Sequence, residues 1–146
     1  MTYETEIEIN LPRNEVMKLF HNEEFVKAWQ PTIKSFTRIK GTKYQKDCVT
    51  EFVYDNKGKD MLITETILHT DYPKTYEAFY EAKNMKNWEI NTLSDSQGKT
   101  LWHAKHIFKM SGFMSLLGLF KGMFVKQSKS DMLAFKTAAE AWTLDE

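Results

Sequence analysis

The sequence predicts a single α+β domain, in which a strand and two short helices precede six antiparallel strands and one long C-terminal helix. The length of 146 residues fits one domain. Apolar residues recur at every second position, then at helical spacing, then again at every second position, which indicates strand, helix and strand in that order. Turn signals rich in Gly, Asn and Asp divide the middle of the chain, as expected of strands joined by hairpins.

The first element is a strand with one face in water. It alternates Tyr3, Thr5, Ile7 and Ile9 with Glu4, Glu6, Glu8 and Asn10. An alternation with a period of two is typical of a strand that buries one side and exposes the other. We therefore expect the glutamates outside and the isoleucines inside.

Two short helices follow the first strand. The apolar residues of this segment recur at helical spacing and are interrupted around His21 and Asn22. We expect Asn10 to cap the first helix near Pro12. The second helix should end before Pro31, because a residue that precedes proline disfavours helical backbone.

Six strands and a long helix complete the chain. The turn signals between the strands are DNKGK at 55–59, DYPK at 71–74 and DSQGK at 95–99, and we expect the glycines to supply positive φ. After Met110 nothing breaks a helical pattern until about Leu144. Three glycines weaken its first half, because glycine is a poor helix former: Gly112, Gly118 and Gly122.

Composition excludes several classes of protein. The 20 basic and 20 acidic residues cancel, so the broad positive surface of a nucleic-acid binder is not expected. The single Cys48 cannot form an internal disulfide and the N-terminal residues resemble no secretory signal, so we expect a cytoplasmic protein. Aromatic residues at 14% and 8 methionines suit either a well-filled core or a permissive apolar cavity.

Two segments carry a resemblance to a known family. EIEINLPRNEVMKLFHNEEFVKAW is similar to the first strand, first helix and following tryptophan of the helix-grip superfamily, and FVKQSKSDMLAFKTAAEAW is similar to its C-terminal helix. This superfamily, often called SRPBCC or START-like, includes START lipid-transfer domains, birch-pollen-allergen-like proteins and polyketide cyclases. The resemblance covers residues 1–146. It implies one domain, with a seven-stranded curved antiparallel sheet wrapped around the C-terminal helix and a cavity between them.

The same resemblance places the first strand beside the last strand, TLWHAKHIFKM, and the charges agree with that pairing. The glutamates of the first strand would meet a basic outer face that carries His103, Lys105 and Lys109. Each pair of opposite charges across the ladder contributes roughly a few tenths of a kcal/mol. The inner face of the last strand would then consist of Trp102, Ala104, His106, Phe108 and Met110.

A hairpin around DNKGK gives a second set of inward residues. If Asp55 pairs with Asp60, one face holds Cys48, Thr50, Phe52, Tyr54, Met61, Ile63, Glu65, Ile67 and His69. A shift of one residue would turn this whole set outward. For strands five and six, which contain Tyr76, Tyr80 and Trp88, the sequence does not define the register.

Two ionisable residues, Glu65 and His106, fall on these apolar inner faces and are the candidates for catalysis. A buried carboxyl must be hydrogen-bonded, hydrated or protonated through a raised pKa. Glu65 could simply accept a hydrogen bond from a tyrosine or lie at a wet end of the cavity, and His106 could be a satisfied core histidine. Alternatively, the two residues hold a polar group of a ligand or act as acid and base.

The start of the C-terminal helix is the most apolar part of the chain. Its helical stripe of Phe113, Leu116, Phe120, Phe124 and Gln127 is expected to form core and cavity wall. The surplus of Met114, Leu117, Leu119 and Met123 suggests a buried end, a lid, or a patch in weak contact with a membrane or partner. The predicted cavity is lined by Trp29, Phe52, Tyr54, Ile63, Glu65, Ile67, Trp102, His106, Phe108, Phe113, Phe120, Phe124 and Gln127.

Other chemistry has little support in the sequence. His103 and His106 point to opposite sides of a strand, so they cannot hold one metal ion, and Cys48 belongs to no nucleophile motif. No cofactor or metal is expected. The basic segment from Lys27 to Lys46, which includes Lys34, Arg38, Lys40 and Lys43, is interpreted as a solvated edge strand, with contact to anionic head groups or an acidic partner as the alternative.

Three functional classes follow from these features. The first is binding or transport of a small hydrophobic or lipid-like molecule in the cavity. The second is a polyketide cyclase or dehydratase type of enzyme that uses Glu65, supported by His106 or Tyr54. The third is a regulatory interaction protein of the chaperone-activator type, for which a filled cavity beside an exposed Phe/Met patch would speak. The sequence does not define the ligand or the oligomeric state.

Overall fold

The computed structural model describes residues 1–112 and 121–144, which form seven strands and three helices. The elements in chain order are β1 (Thr2–Ile9), α1 (Arg13–Phe20), α2 (Glu23–Trp29), β2 (Ile33–Lys40), β3 (Val49–Asn56), β4 (Lys59–Asp71), β5 (Thr75–Ala82), β6 (Met85–Ser96), β7 (Lys99–Met110) and α3 (Lys121–Leu144). The predicted α+β order is confirmed. None of the helices in these ranges is long and apolar enough to cross a membrane.

All strands belong to one curved antiparallel sheet, in the order β1-β7-β6-β5-β4-β3-β2. Register shifts in β2 and in β4 mark β-bulges, which increase the local twist and bend of a sheet. The curved sheet wraps around α3, which packs against β1 and α2. The architecture that the resemblance implied is therefore confirmed.

The first strand pairs with the last strand as predicted. Glu4 lies opposite Lys105 in the ladder, and its carboxylate is 3.2 Å from His103 Nε2. Glu8 forms a second exposed pair with Lys99 at 3.6 Å. Such exposed pairs contribute at most about 1 kcal/mol each. On the inner face, burial is high at Tyr3, Thr5, Ile9, Trp102, Ala104, His106 and Phe108.

The β3–β4 hairpin also has the predicted register, with Asp55 opposite Asp60. Its two turn residues, Lys57 and Gly58, have φ values of 53° and 85°, a conformation that glycine adopts without strain. The predicted inward position of His69 is wrong. The bulge after Ile67 inserts one residue, so His69 pairs with outward-facing Glu77 and lies exposed.

The helix caps differ from the prediction. Pro12 stands at the cap position of α1 and makes no side-chain cap bond, so Asn10 is not the cap. The backbone N–H of Asn10 instead donates to Glu140 of α3 at 2.8 Å. Asn22 caps α2, because its side-chain oxygen accepts from the backbone N–H groups of Glu24 and Phe25.

The hydrophobic core occupies one end of the molecule, where α1 and α2 pack on the second half of α3. Phe135 of α3 is fully buried and its ring centroid lies 4.5 Å from that of Phe20 and 5.3 Å from that of Phe25. Ile9, Val16 and Met17 are among the other fully buried residues of the same cluster. The first described turns of α3 lie beyond this core, and there the space between helix and sheet is a cavity.

Candidate functional site

A cavity of about 610 Å³ lies between the inner face of the sheet, α2 and α3. This volume is within the range of small-molecule sites, roughly 300–1,000 Å³. Twelve of the described lining residues are aromatic. Four lining residues are exposed and mark where the cavity wall meets the protein surface: Pro31, Thr32, Gln127 and Asp131.

Most of the predicted lining residues stand at this cavity. They are Trp29, Phe52, Tyr54, Ile63, Glu65, Trp102, His106, Phe108, Phe124 and Gln127. Phe113 and Phe120 lie outside the described residues. Ile67 does not line the cavity but belongs to the core, where it is 1% exposed. It faces inward as predicted, but the inner face of a strand can meet either core or cavity, and the alternation of residues does not distinguish the two.

Glu65 is held by two tyrosines of the neighbouring strand. The hydroxyl of Tyr76 donates to Glu65 Oε2 at 3.0 Å, and Tyr80 lies directly opposite Glu65 in the ladder. Burial raises the pKa of Glu65, while hydrogen bonds from Tyr80 and Tyr76 and the charge of Arg38 oppose the increase. Glu65 therefore accepts from a tyrosine, which is one of the alternatives drawn from the sequence.

A second buried carboxyl, Glu89 of β6, was missed by the sequence analysis. It lies opposite His106 in the ladder, and its Oε2 is 3.8 Å from His106 Nδ1. Burial raises the pKa of Glu89 to about 7; Asn91 opposes this increase and the charge of Glu65 adds to it. The remaining 19% exposure of its side chain is to be expected of a group at a cavity wall.

His106 is a neutral histidine in an aromatic stack. Its ring lies 4.7 Å from Tyr3 and 6.4 Å from Phe108, centroid to centroid, and its Nε2 is 3.3 Å from the Thr5 hydroxyl. Burial, with a smaller contribution from the nearby His103, lowers the pKa of His106 to about 4. His106 is therefore uncharged near neutral pH, so it does not offer Glu89 a positive charge.

Three polar residues at alternate positions of β6 face the cavity. These residues, Asn87, Glu89 and Asn91, form a polar stripe with side chains about 7 Å apart along the strand. Trp102 Nε1 donates to Asn91 Oδ1 at 2.9 Å. Asn87 is 8% exposed, and its Oδ1 is buried without a hydrogen-bond partner among the described residues.

The sequence contains a signal for this stripe in NWEIN, residues 87–91. Alternate polar residues are normally interpreted as the wet face of a strand, and here the wet face is the cavity. The pairing of β5 with β6 shows which face of β6 points outward. Trp88 pairs with Phe79 and stacks on it on the outer face of the sheet, with 4.7 Å between the ring centroids. Without that register the two faces of β6 could not be told apart.

Arg38 also differs from its prediction as an exposed residue of a basic edge strand. Its Nη2 donates to Glu23 at 2.7 Å, and its Nη1 donates to Thr50 and Cys48 on β3 and the segment before it. The guanidinium lies at the cavity wall, because bulges in β2 and the position of Glu23 draw it inward. Lys34, Lys40 and Lys43 are exposed as expected.

No protein-family model and no curated protein matches the sequence. Solved structures do match the shape of the whole chain. The crystal structure of Ara h 8.0201 has a TM-score of 0.81 at 17% identity, over 97% of this chain and 98% of that chain. The chain has the helix-grip fold. TTHA0849 from Thermus thermophilus matches with a TM-score of 0.76 at 15% identity, over 97% and 98% of the two chains.

The Zhui aromatase/cyclase from Streptomyces sp. R1128 matches this helix-grip protein with a TM-score of 0.77 at 12% identity. The match covers 96% of this chain and 93% of that chain. At these identities the likeness concerns the fold, and the chemistry has to be argued from the cavity. Within the described ranges, no three His, Cys, Asp or Glu side chains are grouped so as to hold a metal ion.

Proposed function

We propose that this protein binds a small hydrophobic or lipid-like molecule in the cavity between sheet and helix. The observation that carries the proposal is the cavity of about 610 Å³ whose described wall contains twelve aromatic residues. Burial of apolar ligand surface in such a space contributes roughly 25 cal/mol per Å² to the free energy of binding, which favours entry of a hydrocarbon. The polar stripe on β6 and Glu65 would orient one polar group of the ligand.

Binding is tested with phenylnaphthylamine, a neutral apolar dye whose fluorescence increases in apolar surroundings. The variant Ile63→Trp places an indole in the cavity, while Leu62→Trp places the same group one residue away on the outer face, where Leu62 is 51% exposed. We expect the wild type and Leu62→Trp to bind the dye and Ile63→Trp to bind at least about tenfold more weakly. Equal binding by all three proteins would contradict the proposal. Native mass spectrometry of protein from its own host would identify a retained ligand.

A second candidate function is acid and base catalysis, favoured by the placement of Glu89 beside neutral His106 and of Glu65 in the same cavity. A carboxylate near pKa 7 is well suited to remove a proton from a carbon next to a carbonyl. The test is deuterium exchange at that carbon of a long-chain methyl ketone, followed by NMR. Exchange that is accelerated by the wild type and lost in Glu89→Gln supports enolisation; no acceleration rejects it for this class of substrate.

The regulatory interaction class has less support, because the cavity is not filled. Its other requirement is an exposed patch at the start of the C-terminal helix, which falls mostly on residues 113–120, outside the described residues. Of the surplus apolar residues only Met123 is described, and it is 58% exposed. We retain weak contact of this segment with a membrane or a protein as a proposal. Sedimentation with anionic vesicles at low salt tests the membrane contact, and failure to sediment would reject it.

A further inference from the structure

The charges at the cavity wall are unbalanced. Four carboxyls line the cavity, and three of them, Glu65, Glu89 and Asp131, form no ion pair with a lysine or arginine among the residues that the structure describes. The one described arginine of the wall, Arg38, is already paired with Glu23 at 2.7 Å. An anionic ligand would therefore be repelled by these carboxyls where they are ionised, whereas a cationic ligand could pair with them, although Glu65 already feels the charge of Arg38.

A hydrogen-bond acceptor without a partner lies next to the carboxyl of Glu89. Asn87 precedes Glu89 by two residues on the same face of β6, and its buried Oδ1 has no partner within the described part of the chain. A buried acceptor without a donor costs free energy comparable to a lost hydrogen bond, so this atom calls for a donor from a ligand or from water. In the ladder, Asn87 is flanked by Tyr80 on one side and Phe108 on the other.

We propose that the cavity selects an amphiphile with a protonated amine, whose N–H groups donate to Glu89 and Asn87 while its hydrocarbon lies among the aromatic rings. This inference rests on the proposed binding function and specifies the head group of the ligand. An ammonium has three donors and no acceptor, which matches a carboxylate and an unused amide oxygen. The flanking rings add cation–π attraction, which is stronger where water is excluded.

The preference for an amine depends on pH in a defined direction. The carboxyl of Glu89 faces Glu65 from β4, Tyr76 and Tyr80 from β5, His106 from β7, Asp131 from α3, and at greater remove Tyr3, Tyr54 and Arg38. Burial raises the pKa of Glu89 to about 7, with a hydrogen bond from Asn91 opposing the increase and the charges of Glu65 and Asp131 adding to it. An alkylammonium stays charged to a pH of about 10. Affinity for the amine should therefore increase as the pH rises through about 7.

Three ligands with the same hydrocarbon test the head group. Dodecylamine and dodecanoate, each below its micelle concentration, and dodecanol, below its solubility limit, compete with phenylnaphthylamine at a pH of about 8. We expect dodecylamine to bind about tenfold more tightly than dodecanol, and dodecanoate to bind the most weakly. For dodecanol, the affinity should not change between a pH of about 6 and about 8, whereas for dodecylamine it should increase.

Matched variants locate the effect. Glu89→Gln removes the carboxylate from the cavity, while Glu81→Gln makes the same chemical change on the exposed outer face of β5. Asn87→Leu keeps the branched heavy-atom skeleton of the side chain and removes the unused acceptor, with two bulkier methyl groups in place of the amide oxygen and nitrogen. Glu89→Gln and Asn87→Leu should each reduce the ratio of amine to alcohol affinity severalfold, and Glu81→Gln should leave it unchanged. Affinity for dodecanol serves as a control for folding in all three variants.

The outcomes separate this inference from the proposed function. If dodecanol binds as tightly as dodecylamine, or dodecanoate binds more tightly than either, the amine preference is wrong and the binding function stands. If amine preference persists in Glu89→Gln and Asn87→Leu, the assignment to these residues is wrong. If neither the dye nor any dodecyl ligand binds, both proposals are rejected. Tighter binding of the amine that is lost in the two cavity variants supports the inference.

Discussion

Replacing Glu89 by glutamine should stabilise the ligand-free protein, and the gain should depend on pH. The pKa of this carboxyl rises from an ordinary value of 4.5 to about 7 in the folded protein, mainly through burial. A carboxyl with a raised folded pKa binds its proton more tightly in the folded state than in the unfolded state. Its contribution to stability is therefore complete below the unfolded value and is lost as the pH rises through the folded value.

The size of the effect follows from the shift. One pKa unit corresponds to about 1.4 kcal/mol, so the shift of Glu89 corresponds to about 3 kcal/mol. Glutamine resembles the protonated carboxyl and does not titrate. Wild type and Glu89→Gln should therefore have similar stability below pH 4.5, and the variant should become more stable by about 3 kcal/mol as the pH reaches about 7.

Urea unfolding at several pH values between about 4 and 8 measures the difference, with circular dichroism as the signal. Comparing the two proteins at each pH cancels the titration of groups they share, unless those groups interact with Glu89. Glu65 does interact with Glu89, so the plot of the stability difference against pH should show a broader transition with the same midpoint. Glu81→Gln, the same chemical change at an exposed position of the outer face, is the control. If the difference for Glu89→Gln varies with pH no more than that of the control, the argument that burial controls Glu89 is refuted.

Three further outcomes are expected. Burial lowers the pKa of His106 to about 4, so the wild type should lose more stability than His106→Asn when the pH falls from 6.5 towards 4, as measured by urea unfolding; equal losses would contradict this. Phe135→Ala should cost about 3–5 kcal/mol because it empties the core, whereas Leu133→Ala at an exposed position of the same helix should cost under about 0.5 kcal/mol. In thermal unfolding, Arg38→Met should be less stable than wild type by roughly 1–3 kcal/mol and Lys40→Met by less than about 0.5 kcal/mol. Similar losses for the two variants would contradict the inward position of Arg38.

The depth to which an individual side chain is buried could not be predicted from the sequence for every residue. Arg38 lies in a run of six basic residues between Lys27 and Lys46 without an acid, and such runs are usually solvated. Its inward position depends on Glu23, which is distant in sequence, on a helix that packs beside β2. Ile67 shows the same problem in reverse, because its inward direction was predicted and the filling of the space in front of it was not.

Candidate site residues could be identified only on strands whose register the sequence predicts. Glu65 and His106 were identified because β3, β4, β7 and β1 have clear alternation and turns of defined length. Glu89 and Asn87 were missed because β6 has polar residues on its inner face and large apolar residues outside, as in Trp88. A strand that faces a polar cavity has the pattern of a strand turned the other way.

The order of the elements and the register of the β3–β4 hairpin could be predicted from the sequence, because alternation and turn residues are local properties of the chain. The pairing of β1 with β7 was implied by the resemblance to the helix-grip superfamily and agreed with the charges of the two strands. The cavity, the position of Glu89 beside His106 and the outward direction of His69 depend on the tertiary structure. A cavity is the space that sheet and helix leave between them, so its walls depend on the register of distant strands and on a bulge that shifts one strand by a single residue.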